Sequence, residues 1–194
     1  MKKVCVINRS ENNKKKNKYY CDALKSVGLE PIFITKDNIS VLNVCSGILL
    51  PGGCKEDNID NYLIEYSNKF NIPLLGICLG MQMMGMYNNN LELKNVENHY
   101  FDENKYIHNV YLYDSNLKNI LQTDKIKVNS YHNYALADKG GYKIVGKSSD
   151  GVIEAIEKDN HIFQVGVQWH PERMISYDNG SRLLFKEFSK KIKK

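Results

Sequence analysis

Pro73-Leu74-Leu75-Gly76-Ile77-Cys78-Leu79-Gly80-Met81-Gln82 is an apolar run that ends in a cysteine held between two glycines. The pattern predicts a strand through Ile77, a sharp turn at Cys78 and a helix over Met81 to Tyr87. This is the form of a nucleophile elbow, G-x-C-x-G in place of G-x-S-x-G. Gly76 and Gly80 have no Cβ, so strand and helix can approach closely. The helix start turns free N–H groups and its positive dipole end toward the sulfur, which favours thiolate. Taken alone, G-x-C-x-G equally describes a buried strand cysteine before a glycine turn.

A second stretch, Gln164-Val165-Gly166-Val167-Gln168-Trp169-His170-Pro171-Glu172, supplies what a cysteine nucleophile needs. A thiol requires a base within hydrogen-bond reach, and the base requires a group to orient it. His170 and Glu172 leave one strand end together, with Pro171 stiffening the link. Residues i and i+2 of an extended segment share a face. Glu172 can then reach the imidazole Nδ1 and leave Nε2 for the thiol. The expected catalytic set is Cys78, His170 and Glu172.

These two stretches together resemble the class I, or triad, glutamine amidotransferases, most of all their hydrolase branch, the γ-glutamyl-γ-aminobutyrate hydrolase type. Val128-Asn129-Ser130-Tyr131-His132 and Ser148-Ser149-Asp150-Gly151-Val152-Ile153-Glu154-Ala155 fit the same branch, in the same order. The resemblance implies a flavodoxin-like α/β fold, a mostly parallel sheet with helices on both faces, plus a small antiparallel or mixed β region. It implies hydrolysis of a γ-glutamyl amide through a thioester on Cys78. It places the oxyanion loop at Pro51-Gly52-Gly53, with the Gly53 and Leu79 N–H groups as donors and Gly52 in the substrate pocket. It gives Gln82 and the Ser130-Tyr131-His132 segment to the glutamyl head group. His132 has no acid at a useful spacing, so His170 is the expected base. His99, His108 and His161 are expected on the surface, and Cys54 beside the oxyanion loop.

The 194 residues fit one domain, 1–194, with an ordinary core. No apolar run approaches the ~20 residues that span a bilayer. Met1 to Asn8 has too short an apolar core for a signal peptide and reads as a first strand. Five cysteines, none in C-x-x-C spacing, suggest neither a disulfide framework nor a zinc ribbon. Free thiols then imply a reducing cytoplasm, with Cys5 and Cys45 filling the core. No metal or cofactor is expected.

The net charge of +5 is carried mostly by lysine, since only Arg9, Arg173 and Arg182 are arginines. The basic runs 14–18 and 190–194 lack the interleaved aromatics of a nucleic-acid groove and read as solvated surface. The positive field favours an anionic small molecule.

Along the chain, strands are expected at 2–8, 31–35, 46–50 and 74–77, and helices at 19–27 and 60–70. A polar loop is expected from Arg9 to Lys18. The helix at 60–70 would turn Tyr62, Leu63 and Tyr66 inward. This alternation argues a parallel sheet covered on both faces. Short strands follow at 107–113, 126–128, 142–147 and 152–157, with turn signals at Gly140-Gly141 and Asp150-Gly151. His161 to Trp169 returns to the main sheet, and Ser181 to Lys191 is an amphipathic closing helix.

Two functions compete. One is a free-standing hydrolase releasing glutamate from a γ-glutamyl amide. The other is the glutaminase component of an amidotransferase, delivering ammonia to a synthase partner. The VNSYH and SSDGVIEA stretches favour the hydrolase. The compact, Lys-rich form also resembles capsule-pathway hydrolases that release cytidine diphosphoramidate from its γ-glutamyl derivative, though no dedicated motif carries that likeness. A diphosphate needs planar cations beside the cleft, and Arg9 and Arg173 stand where they could supply them.

Overall fold

The computed structural model describes residues 1–9, 14–54, 59–89, 91–101 and 105–193. Positions 10–13 of the expected first loop and Lys194 of the basic tail lie outside the described residues. In chain order the elements are β1 (Lys2–Ile7), α1 (Lys14–Ser26), β2 (Leu29–Ile34), a 3-10 stretch Lys36–Val44, β3 (Gly47–Leu50), α2 (Ile59–Phe70), β4 (Leu74–Ile77), α3 (Leu79–Met86), β5 (Leu93–Asn95), β6 (His108–Leu112), α4 (Asn116–Leu121), β7 (Lys125–Val128), β8 (Tyr134–Leu136), β9 (Lys143–Ser148), β10 (Ile153–Glu157), β11 (Gln164–Val167), a 3-10 turn Pro171–Arg173 and α5 (Asn179–Lys191).

The main sheet runs β2-β1-β3-β4-β11-β10-β9-β6-β7. From β2 to β11 every pairing is parallel. From β11 outward every pairing is antiparallel. The antiparallel strands thus extend the parallel sheet, and the separate small sheet is only β5 with β8. This is the flavodoxin-like arrangement, a parallel half with an antiparallel extension, that the resemblance implied.

The strands of the parallel half are apolar on both faces because both are covered. Val4 and Val6 of β1 join one core with Leu24 of α1 and Phe185 and Phe188 of α5. Cys5 and Ile7, pointing the other way, join a second core with Leu63 of α2 and Met84 of α3. Along β3 and β4 the same alternation sends Leu49 and Leu75 to the first core and Leu50 and Leu74 to the second.

Several expectations need correction. Helix α1 starts at Lys14, not Tyr19, because a run of lysines is compatible with a helix and needs no loop. On α2 the inward face is Ile59, Asp60, Leu63, Ile64 and Ser67, and Tyr62 is exposed. Cys5 and Cys45 are joined in a disulfide, leaving Cys21, Cys54 and Cys78 as the free thiols. Cys45 precedes β3, which pairs with β1, and this brings the two Cα atoms to 5.8 Å. Among the described residues no helix is long and apolar enough to cross a membrane.

Candidate active site

In open α/β sheets, sites form beyond the carboxyl ends of the strands. The parallel register sets Leu50 beside Gly76 and Ile77 beside Val167. The segments after β3, β4 and β11, carrying Gly52-Gly53, Cys78 and His170, therefore leave from one sheet edge.

Cys78 has φ 54° and ψ −110° and caps the start of α3. A non-glycine residue at that φ costs on the order of 1–3 kcal/mol and persists only where its surroundings hold it. Here the Cys78 N–H donates to Val167 O at 2.8 Å, and the Gln82 N–H donates back to Cys78 O at 3.1 Å. A Cβ on Gly80 would run into the Leu50 carbonyl, and one on Gly76 into Met84 Sδ. Both glycines are thus required by the packing of the elbow.

His170 is buried, with Nδ1 2.7 Å from Glu172 Oε1. Its ring and the Cys78 side chain converge over Gly52. A Cβ there would lie 2.7 Å from His170 Cε1 and 3.3 Å from Cys78 Cβ. Burial alone would lower the imidazole pKa, but the negative charges of Glu172 and Cys78 outweigh it and push it up to about 9. The arrangement favours the imidazolium form of His170.

The Gly52 N–H donates to Tyr20 Oη at 2.9 Å. Gly53 lies against the helix start, where a Cβ would be 3.3 Å from Leu79 Cδ2 and 2.8 Å from Arg9 Cδ. Gly53 and Leu79 are therefore adjacent in space.

The substrate-binding expectations divide. Arg9 is buried, donates through Nη1 to Asp60 Oδ2 at 2.7 Å and through Nη2 to Oδ1, and gives Nε to Pro51 O at 3.0 Å. It ties the glycine loop to α2, and its charge is spent on Asp60. Gln82 is buried as well, its Nε2 donating to Tyr134 O at 2.8 Å and to Gln168 Oε1 at 3.1 Å. Ser130 uses its hydroxyl on His99 O at 2.6 Å and its carbonyl on the Phe101 N–H at 3.0 Å. His132 sets Nδ1 3.1 Å from Tyr134 O and Nε2 3.6 Å from Glu154 Oε1. Tyr131 does face the cysteine side, its ring edge-on to His170 with centroids 5.4 Å apart. Arg173 stacks over Tyr131, its guanidinium carbon 4.1 Å from the ring centre, and Nε lies 3.8 Å from Glu172 Oε1.

Three residues that composition and spacing do not single out support the site. Gln168 donates Nε2 to Cys78 Sγ at 3.6 Å. Asn129 clamps the His170 backbone from both sides, accepting from its N–H at 2.8 Å and donating to its carbonyl at 2.9 Å. Tyr20 holds the glycine loop. Two of these, Asn129 and Gln168, lie inside the stretches that carry the family resemblance. Cys54 is exposed.

The histidines expected on the surface are not there. His99 is buried, and His108 and His161 are partly buried. His99, His108 and His132 surround the buried Glu154 of β10. Burial lowers the basicity of His99, but the neighbouring Glu154 and Asp150 carboxylates outweigh it and raise its pKa.

The Peptidase C26 family profile matches residues 54–172, which include Cys78, His170 and Glu172. A Schizosaccharomyces pombe protein named as a glutamine amidotransferase is 34% identical over 146 residues, covering 71% of this chain and 57% of that one. The CTP synthase of Desulfitobacterium hafniense is 34% identical over 186 residues, covering 77% of this chain and 35% of that one. This chain thus spans little more than half of the first relative and about a third of the second. Among solved structures, a Thermoplasma acidophilum protein described as part of a GMP synthase superposes with a TM-score of 0.78 at 20% identity, over 99% of this chain and 94% of that one. That last likeness concerns the fold. The strand–elbow–helix, the shared sheet edge and the matched segment agree: this chain belongs to the Peptidase C26 family and has the class I glutamine amidotransferase fold.

Proposed function

We propose that the chain is a cysteine-dependent hydrolase that cleaves a γ-glutamyl amide through a γ-glutamyl thioester on Cys78. The observation that carries this reading is the setting of His170. One ring nitrogen is taken by Glu172 at 2.7 Å, and the ring and the Cys78 side chain meet over Gly52. The thiolate attacks the amide carbonyl and a C–S bond forms. The resulting oxyanion is held by the Leu79 and Gly53 N–H groups, each worth about 3 kcal/mol of barrier. The His170 imidazolium protonates the leaving nitrogen as the C–N bond breaks. Neutral His170 then takes a proton from water, which attacks the thioester. The C–S bond breaks and glutamate leaves.

The leaving group is the less constrained half of the proposal. By resemblance it is cytidine diphosphoramidate, making the substrate γ-glutamyl-CDP-amidate of a capsule pathway. With Arg9 committed to Asp60, Arg173 beside Glu172 is the guanidinium that remains for a diphosphate. Purified protein should release glutamate from a γ-glutamyl phosphoramidate much faster than from glutamine or from aliphatic and polyamine γ-glutamyl amides. Loss of all γ-glutamyl activity, or activity retained in Cys78→Ala, would end the proposal.

A second reading, a glutaminase delivering ammonia to a separate synthase, is favoured by the similarity to a CTP synthase of which this chain matches only a third. Glutamine hydrolysis that exceeds every other amide and rises when a co-purifying protein is added would select it.

A further inference from the structure

We propose that His99, His108, His132 and Glu154 form a closed tetrahedral site for a divalent transition-metal ion of the zinc class, a structural ion that anchors the segment carrying Tyr131 beside the cysteine. Four separate segments converge here. They are the loop holding His99, the first residue of β6, the loop after β7 and the interior of β10.

The distances argue against simple hydrogen bonding. Glu154 Oε1 lies 3.4 Å from His99 Nδ1, 3.6 Å from His108 Nε2 and 3.6 Å from His132 Nε2. A gap of 3.6 Å is too long for a hydrogen bond between nitrogen and oxygen. The three Glu154–histidine distances are close to the ligand–ligand edge of a zinc tetrahedron, about 3.3–3.5 Å for bonds of ~2.0–2.2 Å, and all four ligand atoms lie within 4.8 Å of one another. Among the described residues, His108 Nε2, His132 Nε2 and both Glu154 oxygens are buried with no hydrogen-bond partner. Four such buried atoms would each cost about 1–3 kcal/mol. A cation among them satisfies the nitrogens and Oε1 together.

The outward nitrogens give independent support. His99 Nε2 meets Asp150 Oδ2 at 3.0 Å, His132 Nδ1 meets Tyr134 O at 3.1 Å and His108 Nδ1 meets Asn109 O at 3.3 Å. Metal-bound histidines almost always donate the second N–H to a carboxylate or carbonyl, which fixes the tautomer and turns the lone pair to the ion. All three do so here, and Asp150 is itself held by the Ser148 hydroxyl. The Ser148-to-Ala155 stretch thereby acquires a physical role through Asp150 and Glu154.

Three imidazoles and a carboxylate suit zinc, cobalt or nickel and offer no thiolate for softer ions. Four protein ligands in a buried cluster mark a structural ion, without the open position of a catalytic one. The ion would connect to the active site through Tyr134 O, shared by His132 and Gln82, and through Gln82 to Gln168 and the Cys78 sulfur. The inference stands whether or not Cys78 does the chemistry proposed above.

The test is titration of tag-free, chelator-treated protein with Co²⁺, then displacement by Zn²⁺. The expected result is one equivalent with the visible spectrum of tetrahedral cobalt, and a Tm raised by Zn²⁺. Glu154→Gln and His108→Ala should lose the spectrum. The milder Asp150→Asn should keep it with affinity about 10–100-fold weaker. His161→Gln, outside the cluster, should match wild type. No tetrahedral spectrum in the wild-type protein would overturn the proposal, as would binding undiminished in the Glu154 and His108 variants.

Discussion

Replacing Glu172 by glutamine removes a charge while keeping a carbonyl that can still accept from His170 Nδ1. The change tests how the imidazolium is held. Glu172 is almost fully buried, its Oε1 2.7 Å from the ring nitrogen, and it is the strongest attraction that lifts His170 to about 9. A hydrogen bond to a buried charged group is worth about 1.5–3 kcal/mol. At 1.36 kcal/mol per pH unit, neutralising Glu172 lowers the His170 pKa by about one to two units. The sign follows from which form is needed. The imidazolium protonates the leaving nitrogen, so activity is kept below the His170 pKa and lost above it. Wild-type kcat/KM should therefore fall above about pH 9. In Glu172→Gln that alkaline limb should move down by one to two units, and the plateau should drop about 10–100-fold. The assay is kcat/KM against pH on any γ-glutamyl amide that turns over. A variant within twofold of wild type, with its alkaline limb still near 9, would refute the role given to Glu172.

Two further variants probe the framework. Gly80→Ala puts a methyl group into the Leu50 carbonyl, so it should destabilise the fold by about 1–3 kcal/mol, read as a lowered denaturant midpoint. Unchanged stability would mean that the elbow is looser than its packing implies. Arg9→Met strands the buried Asp60 and should cost about 3–5 kcal/mol of stability, while the double variant with Asp60→Asn should recover much of that loss. A raised KM for an anionic substrate without loss of stability would instead return Arg9 to the binding role expected from sequence.

What the sequence makes legible is local. The elbow and the His-Pro-Glu strand end are short stretches in which spacing alone sets geometry, and both belong to the fold's central strands. Glu172 stands two positions after His170, on the 3-10 turn Pro171–Arg173 in place of the extended segment expected, and that turn still brings its carboxylate to Nδ1. The Arg9–Asp60 pair is invisible to spacing because 51 residues separate its members, and only the packing of α2 beside the ends of β1 and β3 joins them. The histidine cluster is assembled from residues 99, 108, 132 and 154, and no spacing rule connects those. One signal is present. Glu154 stands in the apolar run Val152-Ile153-Glu154-Ala155-Ile156, and a buried carboxylate inside a strand needs cationic or metal partners. The resemblance gives Gln82 and Ser130 to the substrate, and the hydrogen bonds that hold Gln82 Nε2 on Tyr134 and Gln168 and the Ser130 hydroxyl on His99 span distances along the chain that no spacing rule connects. The start of α1 escapes a reading by polarity because a lysine run among polar neighbours looks the same in a loop and on a solvated helix.

The most direct measurement is the mass of the acid-quenched enzyme during turnover of a γ-glutamyl amide, followed by peptide mapping. The account predicts a γ-glutamyl adduct on the peptide containing Cys78, released by hydroxylamine and absent from Cys78→Ser. Steady turnover with no adduct on that peptide, and undiminished in Cys78→Ser, would contradict it.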